Sequence, residues 1–147
     1  MTDNKYKRVL IAVDCDPTSE KIAEAGLDLA KRLHAEIAIL TVVDTSLLLG
    51  SEGLTAHEAR SIAKTAAAEN LNALVANIFG HHNISRYIME GSAEAQILKV
   101  AKEWPADILV VGTHGRKGLA RMILGSVAER VIKNSNIPVI VIPVNHG

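Results

Sequence analysis

The stretch "VVGTHGRKGLARMILGSVAERV", Val110 to Val131, joins two different patterns. An apolar run ends at Gly112, and a helical pattern starts at Ser126. Gly112, Gly115 and Gly125 punctuate the connection, and Arg116, Lys117 and Arg121 are interleaved in it. The segment reads as a strand, a glycine-bearing loop and a helix. That is one step of an alternating β/α chain.

The alternation extends in both directions. "RVLIAV" (Arg8–Val13), "EIAILTVV" (Glu36–Val43), "DILVVG" (Asp107–Gly112) and "PVIVIP" (Pro138–Pro143) are near-continuously apolar and rich in β-branched residues. Such runs suit parallel strands covered on both faces. "SRYIME" (Ser85–Glu90) is a weaker strand pattern, expected near an edge. Four helical segments lie between the strands. The first starts around Asp16–Ser19, with Pro17 at an early helical position, and ends near Leu33; Ile22, Gly26, Ala30 and Leu33 share a face. The second runs from about Thr55 to Ile78, with Thr55 and Glu58 as a capping box and Ala63, Ala67, Leu71, Leu74 and Ile78 as its stripe. The third spans Ser92 to about Glu103, turning Ala93, Ile97, Ala101 and Trp104 inward. The fourth starts at Ser126, where Ser126 and Glu129 read as a second capping box. The order β-α-β-α-β-α-β-α-β predicts a doubly wound α/β fold. No repeat, low-complexity tract or linker interrupts it. The connection Asp44–Leu54 reads as a mobile lid or partner surface, or as a segment whose leucines pack on a neighbouring element.

The chain has 147 residues, a length expected for one domain spanning 1–147. A chain of this size hides roughly 68–70% of its unfolded surface. The 16 basic and 16 acidic residues cancel, so no global charge attracts nucleic acid or an anionic membrane. Any anion site must be local. The single cysteine, Cys15, allows no internal disulfide and no cysteine cluster for zinc. A reducing, cytoplasmic setting is expected, since no apolar run resembles a leader or a membrane span.

Ligands of open α/β sheets bind beyond the carboxyl ends of the strands, where strand order reverses. Gly112 ends its strand on that edge. Glycine adopts positive φ without the roughly 1–2 kcal/mol that other residues incur. It also lets backbone amides approach phosphate oxygens. Ser126 starts a helix, whose dipole favours an anion at that end. Charge-assisted hydrogen bonds contribute about 1.5–3 kcal/mol each, so several would hold a polyphosphate. The plainer reading is equally open: Gly112 ends a strand, Gly115 makes a turn and Gly125 precedes a cap. Neither Walker A nor the G-x-G-x-x-G fingerprint is present.

The spacing Gly112-x-x-Gly115, then nine residues, then Gly125-Ser126 resembles the G-2x-G-9x-G-[ST] signature of nucleotide-binding universal stress proteins. "VLIAVD" (Val9–Asp14), "ILTVVD" (Ile39–Asp44), "GSAEAQILKVAKE" (Gly91–Glu103) and "GSVAERVIKNSNIPVIVIP" (Gly125–Pro143) are similar to that family too. The resemblance implies a Rossmann-like, five-stranded parallel sheet ordered 3-2-1-4-5 with four helices. It implies ATP as ligand, with Mg or Mn held mainly by phosphate oxygens. Gly112, Gly115, Gly125 and Ser126 would hold the phosphates, helped by Thr113, His114 and the backbone of Arg116 and Val127. Asp14 would stand near the ribose, Val42 would meet adenine through its backbone, and Ala12 and Val13 would line the base pocket. The family's first loop often reads Asp-x-Ser, whereas this chain has "DCDP", Asp14 to Pro17. Asp16 is read there as a helix cap, and Cys15 as a partly buried small residue. His81 and His82 are expected in solvent, and Trp104 in the core.

Three functions remain: an ATP-binding regulatory protein acting through an unidentified protein partner, a slow ATP hydrolase or nucleotidyl transferase, and a nucleotide-free dimeric module. The intact signature and the lack of an evident base favour the first. The apolar last strand would form a sheet edge, and a bare apolar edge invites pairing. A homodimer through Val139–Ile142 is therefore expected, as the resemblance also implies.

Overall fold

The computed structural model describes residues 5–14, 16–44, 53–80, 83–113 and 124–144. Five strands form one parallel sheet: β1 (Arg8–Ala12), β2 (Glu36–Val43), β3 (Ile84–Glu90), β4 (Ile108–Gly112) and β5 (Val139–Ile142). Their order is β3-β2-β1-β4-β5. The helices α1 (Ser19–Leu33), α2 (Ala56–Phe79), α3 (Ala93–Glu103) and α4 (Ser126–Asn134) alternate with them. This is the doubly wound fold that the alternation predicts.

Successive strand residues point to opposite faces of a sheet, and here both faces are covered. Val9, Ile11, Ile37, Ile39, Ile108 and Val110 face α1 and α2. Leu10, Ala12, Ala38, Leu40, Leu109 and Val111 face α3 and α4. Two separate cores result, which is why these strands carry unbroken apolar runs rather than alternation. Each fully buried Ile or Leu contributes about 1.5–3 kcal/mol. β3 and β5 are the edges; in β3 only Ile84 is buried, and the four residues of β5 are all half-buried.

The expected helix faces are found with three differences. In α2, Leu71 and Leu74 are buried as expected, but Val75 and Phe79 are buried too, while Ile78, Ala63 and Ala67 are only half-buried. A helix of 24 residues is about 36 Å long, longer than the strands it covers. Its first half runs past the sheet, and only Ala59 is buried ahead of Leu71. Thr55 and Glu58 do form the capping box. In α4, by contrast, Ser126 is the first helical residue and Gly125 is the N-cap, without a side-chain cap hydrogen bond. The expected Ser126–Glu129 box is not formed, because the Glu129 amide takes the Gly125 carbonyl. In α1 the N-cap is Thr18, not Asp16. The Asp16 carboxylate instead closes a turn just ahead, accepting from the Thr18 amide and hydroxyl.

The amino edge of the sheet is closed by charge. One Asp107 carboxylate oxygen accepts from the Lys7 and Arg8 amides at 2.8 and 3.0 Å. Arg8 pairs with Glu36, donates to the Trp104 carbonyl and lies over the Trp104 ring. Trp104 is half-buried against the α3/α4 core, as the inward stripe of α3 predicts.

α1 approaches the sheet closely where Gly26 faces β1. A Cβ on Gly26 would overlap the Ile11 Cδ1 and Cγ1 atoms. Alanine is favoured over glycine inside a helix by about 1 kcal/mol, but overpacking costs about 1–3 kcal/mol. Cγ1 sits next to the strand backbone and cannot swing clear. Gly26→Ala is therefore expected to lower unfolding free energy by about 1 kcal/mol, read by urea denaturation. An unchanged or raised midpoint would contradict the packing.

Candidate functional site at the carboxyl edge

Strand order reverses between β1 and β4, because β1 continues through α1 to one side and β4 through α4 to the other. The ladders part there. β1 pairs with β4 only as far as Ile11 opposite Val110. Its pairing with β2 continues to Ala12 opposite Leu40, and the Val13 amide then donates to the Leu40 carbonyl at 2.9 Å. Beyond Ile11 and Val110 the two central strands open into the crevice that such reversals create.

Several residues singled out from the sequence meet at this edge. Ala12 and Val13 are buried at the end of β1, and Asp14 follows them into solvent. Val42 lies in β2 two residues beyond Leu40, opposite Met89 of β3, and is half-buried. Gly112 ends β4 and is buried. Gly125, Ser126 and Val127 start α4, with Ser126 and Val127 exposed. His114, Gly115, Arg116, Lys117 and Arg121 lie outside the described residues, as do Cys15, His81 and His82.

Thr113 turns out to organise this edge. Its amide donates to the Ile142 carbonyl at 3.0 Å. Its hydroxyl accepts from the Val144 amide at 3.0 Å and donates to the Val144 carbonyl at 3.3 Å. Its carbonyl accepts from the Gly125 amide at 2.7 Å. The two ends of segment 114–123 are thus one hydrogen bond apart. Nothing local in the sequence announced the partner, since Val144 is 31 residues away.

Neither Gly112 nor Gly125 has positive φ; Gly125 is at φ −64° and ψ 156°. Gly112 lies close to α1: a Cβ there would overlap the Cδ1 end of Ile22 and touch Val144. α4 starts behind a residue with no side chain to cap it. The first amides of a helix have no acceptor within it, and a helix start carries a partial positive charge. The arrangement can receive an anion. Among the described residues, no three His, Cys, Asp or Glu side chains gather to hold a metal, and no helix is long and apolar enough to cross a membrane.

A doubly wound parallel sheet with an open carboxyl-edge crevice and an uncapped helix start beside it defines the Rossmann-like class of α/β proteins. The chain belongs to the universal stress protein family, whose sequence model matches residues 5–143. It is 36% identical over 143 residues to the universal stress protein MJ0531 of Methanocaldococcus jannaschii, covering 95% of this chain and 84% of that one. Its identity to the universal stress protein MJ0577 of the same organism is 33% over 154 residues, covering 93% and 94% of the two chains. The solved structure of MJ0577 superposes with a TM-score of 0.79, covering 97% of this chain and 99% of that chain. A universal stress protein solved in complex with cAMP shares the fold, at 22% identity and a TM-score of 0.62 over 94% of this chain and 97% of that one.

Thr113→Val keeps the volume and removes both hydroxyl bonds. It leaves the Val144 amide, in a residue 4% exposed, without its acceptor, at a cost of about 1–3 kcal/mol. Faster hydrogen exchange at the Val144 amide and a lower unfolding free energy are expected, with Thr113→Ser restoring both. Unaltered exchange would show that the pin carries no load.

Proposed function

We propose that the chain is an ATP-binding regulatory protein of the stress response, whose nucleotide state alters a contact with a protein partner. The observation that carries this reading is the uncapped start of α4, tied to the end of β4 by the Gly125–Thr113 hydrogen bond beside the opening between β1 and β4. Donors fixed in advance at a helix start are well suited to phosphate oxygens. In this reading the triphosphate lies against Gly112, Gly115, Gly125 and the Ser126 hydroxyl, with the backbone of Thr113, His114, Arg116 and Val127 around it. Asp14 accepts from a ribose hydroxyl. The base sits against Ala12 and Val13 and meets the Val42 backbone. A Mg or Mn ion is carried on the phosphates. The relative solved with cAMP supports the view that a domain of this fold can receive an adenine nucleotide.

The site's chemistry favours holding over turnover. Hydrolysis needs a water positioned and activated at the γ-phosphate, and the proposed phosphate contacts are amides and a hydroxyl. The partner contact would then report occupancy. The same reading has two copies pairing through β5, Val139–Ile142, whose outer edge has no neighbouring strand among the described residues. Scattering from the purified chain is expected to give a dimer; a monomer at every concentration would remove that part.

Calorimetric titration with ATP tests the site. Wild type is expected to bind saturably. Gly125→Glu, which sets a carboxylate at the helix start against the triphosphate, should weaken binding by about tenfold or more, and Asp14→Ala by about tenfold, each tenfold being 1.4 kcal/mol. Circular dichroism should show both variants folded. Binding that Gly125→Glu leaves untouched would exclude this crevice, and rapid ADP formation abolished by Asp14→Ala would replace the regulatory reading with an enzymatic one.

A further inference from the structure

A second cleft, of about 620 Å³, lies between the start of α1 and the second half of α2. Asp16 and Glu20 wall it on one side, and Asn70, Leu74 and Asn77 on the other. Ser19, which also lines it, is 2% exposed, and its Oγ has no hydrogen-bond partner. Buried hydroxyls are nearly always paired, so an orphan beside a cleft points to a group that comes from outside. The helix start does not use Ser19 as a cap. Its N-cap is Thr18, whose hydroxyl is given to Asp16.

The lining specifies the charge of that group. Two carboxylates and no Lys, Arg or His line the cleft. The Asn77 amide donates to Glu20 Oε1 at 3.3 Å and steadies that carboxylate across the opening. An anion would meet both acids. The start of α1 carries roughly half a positive charge, which two full negative charges outweigh. A bare metal ion lacks a ligand set, since no three acidic, His or Cys side chains gather among the described residues. The walls also offer apolar surface at Leu74, Ala73 and Pro17.

We infer that this cleft binds a small organic cation, a primary ammonium on a short apolar stem. The ammonium donates to the buried Ser19 Oγ and is neutralised by Glu20 and Asp16, while the stem lies on Leu74 and Ala73. Its lining shares no residue with those assigned to the carboxyl-edge crevice, and the inference does not rest on the nucleotide reading.

Amide NMR spectra of the full chain, titrated with n-butylammonium chloride, test this. Parallel titrations use n-butanol and sodium chloride. Saturable shifts at Glu20, Ala73 and Asn77 are expected with the ammonium alone. Glu20→Gln, at an exposed position, should weaken them by about tenfold, the loss of one charge-assisted bond. Ser19→Ala should weaken them several-fold while leaving the unfolding midpoint unchanged or higher, because it removes an unpaired buried hydroxyl. Three results would each overturn the inference: no saturable shift, as for a site filled by water; equal saturation with n-butanol; or ammonium binding indifferent to Glu20→Gln.

Discussion

The hydrogen bond from the Gly125 amide to the Thr113 carbonyl, 2.7 Å long, joins the end of β4 to the start of α4 across segment 114–123. Besides it, α4 is positioned by its packing through Ala128 and Val131 and by the Asn134 side-chain amide donating to Glu94 of α3. With the Gly125 bond, the first turn of α4 is held at the rim where β1 and β4 separate. Thr113 is held in turn by Ile142 and Val144, so the last strand and the segment after it brace the loop that the signature glycines occupy. The C-terminal strand thereby serves two ends, completing the sheet and fixing the helix start beside the crevice.

The two edges of the sheet are built by opposite means. At the amino edge, Arg8 pairs with Glu36, and the Asp107 carboxylate accepts from the Lys7 and Arg8 amides that lead into β1. Exposed ion pairs of this kind contribute little stability on their own. Their effect here is to tie the starts of β1 and β2 and the residue before β4 to one another. At the carboxyl edge the chain leaves a helix start uncapped, places Asp14 in solvent and lets the central ladder stop short.

One helix links the features of the carboxyl edge. α1 sits close to the sheet because Gly26 faces Ile11 and Ile22 faces Gly112. Close approach at those two points buries the whole inner face of α1, Ser19 included. The same packing that sets Ile22 against Gly112 of β4 accompanies the burial of the Ser19 hydroxyl one turn earlier.

Alternation of apolar runs with helical periodicity determined the element order and the two-faced burial of the strands, because those patterns are local and repeat along the chain. The spacing of Gly112, Gly115, Gly125 and Ser126 carried the family. The capping box at Thr55 was legible for the same reason, its partner being three residues away. Tertiary structure decided the rest. It set Gly112 against Ile22 of α1, moved the cap of α4 from Ser126 to Gly125, and buried Phe79 more deeply than Ile78. It also gave the Thr113 hydroxyl to Val144. The contacts of Gly112, Phe79 and Thr113 depend on surfaces brought near by the fold from far along the chain, and steric fit or pairing at that distance leaves no periodicity for a sequence to display.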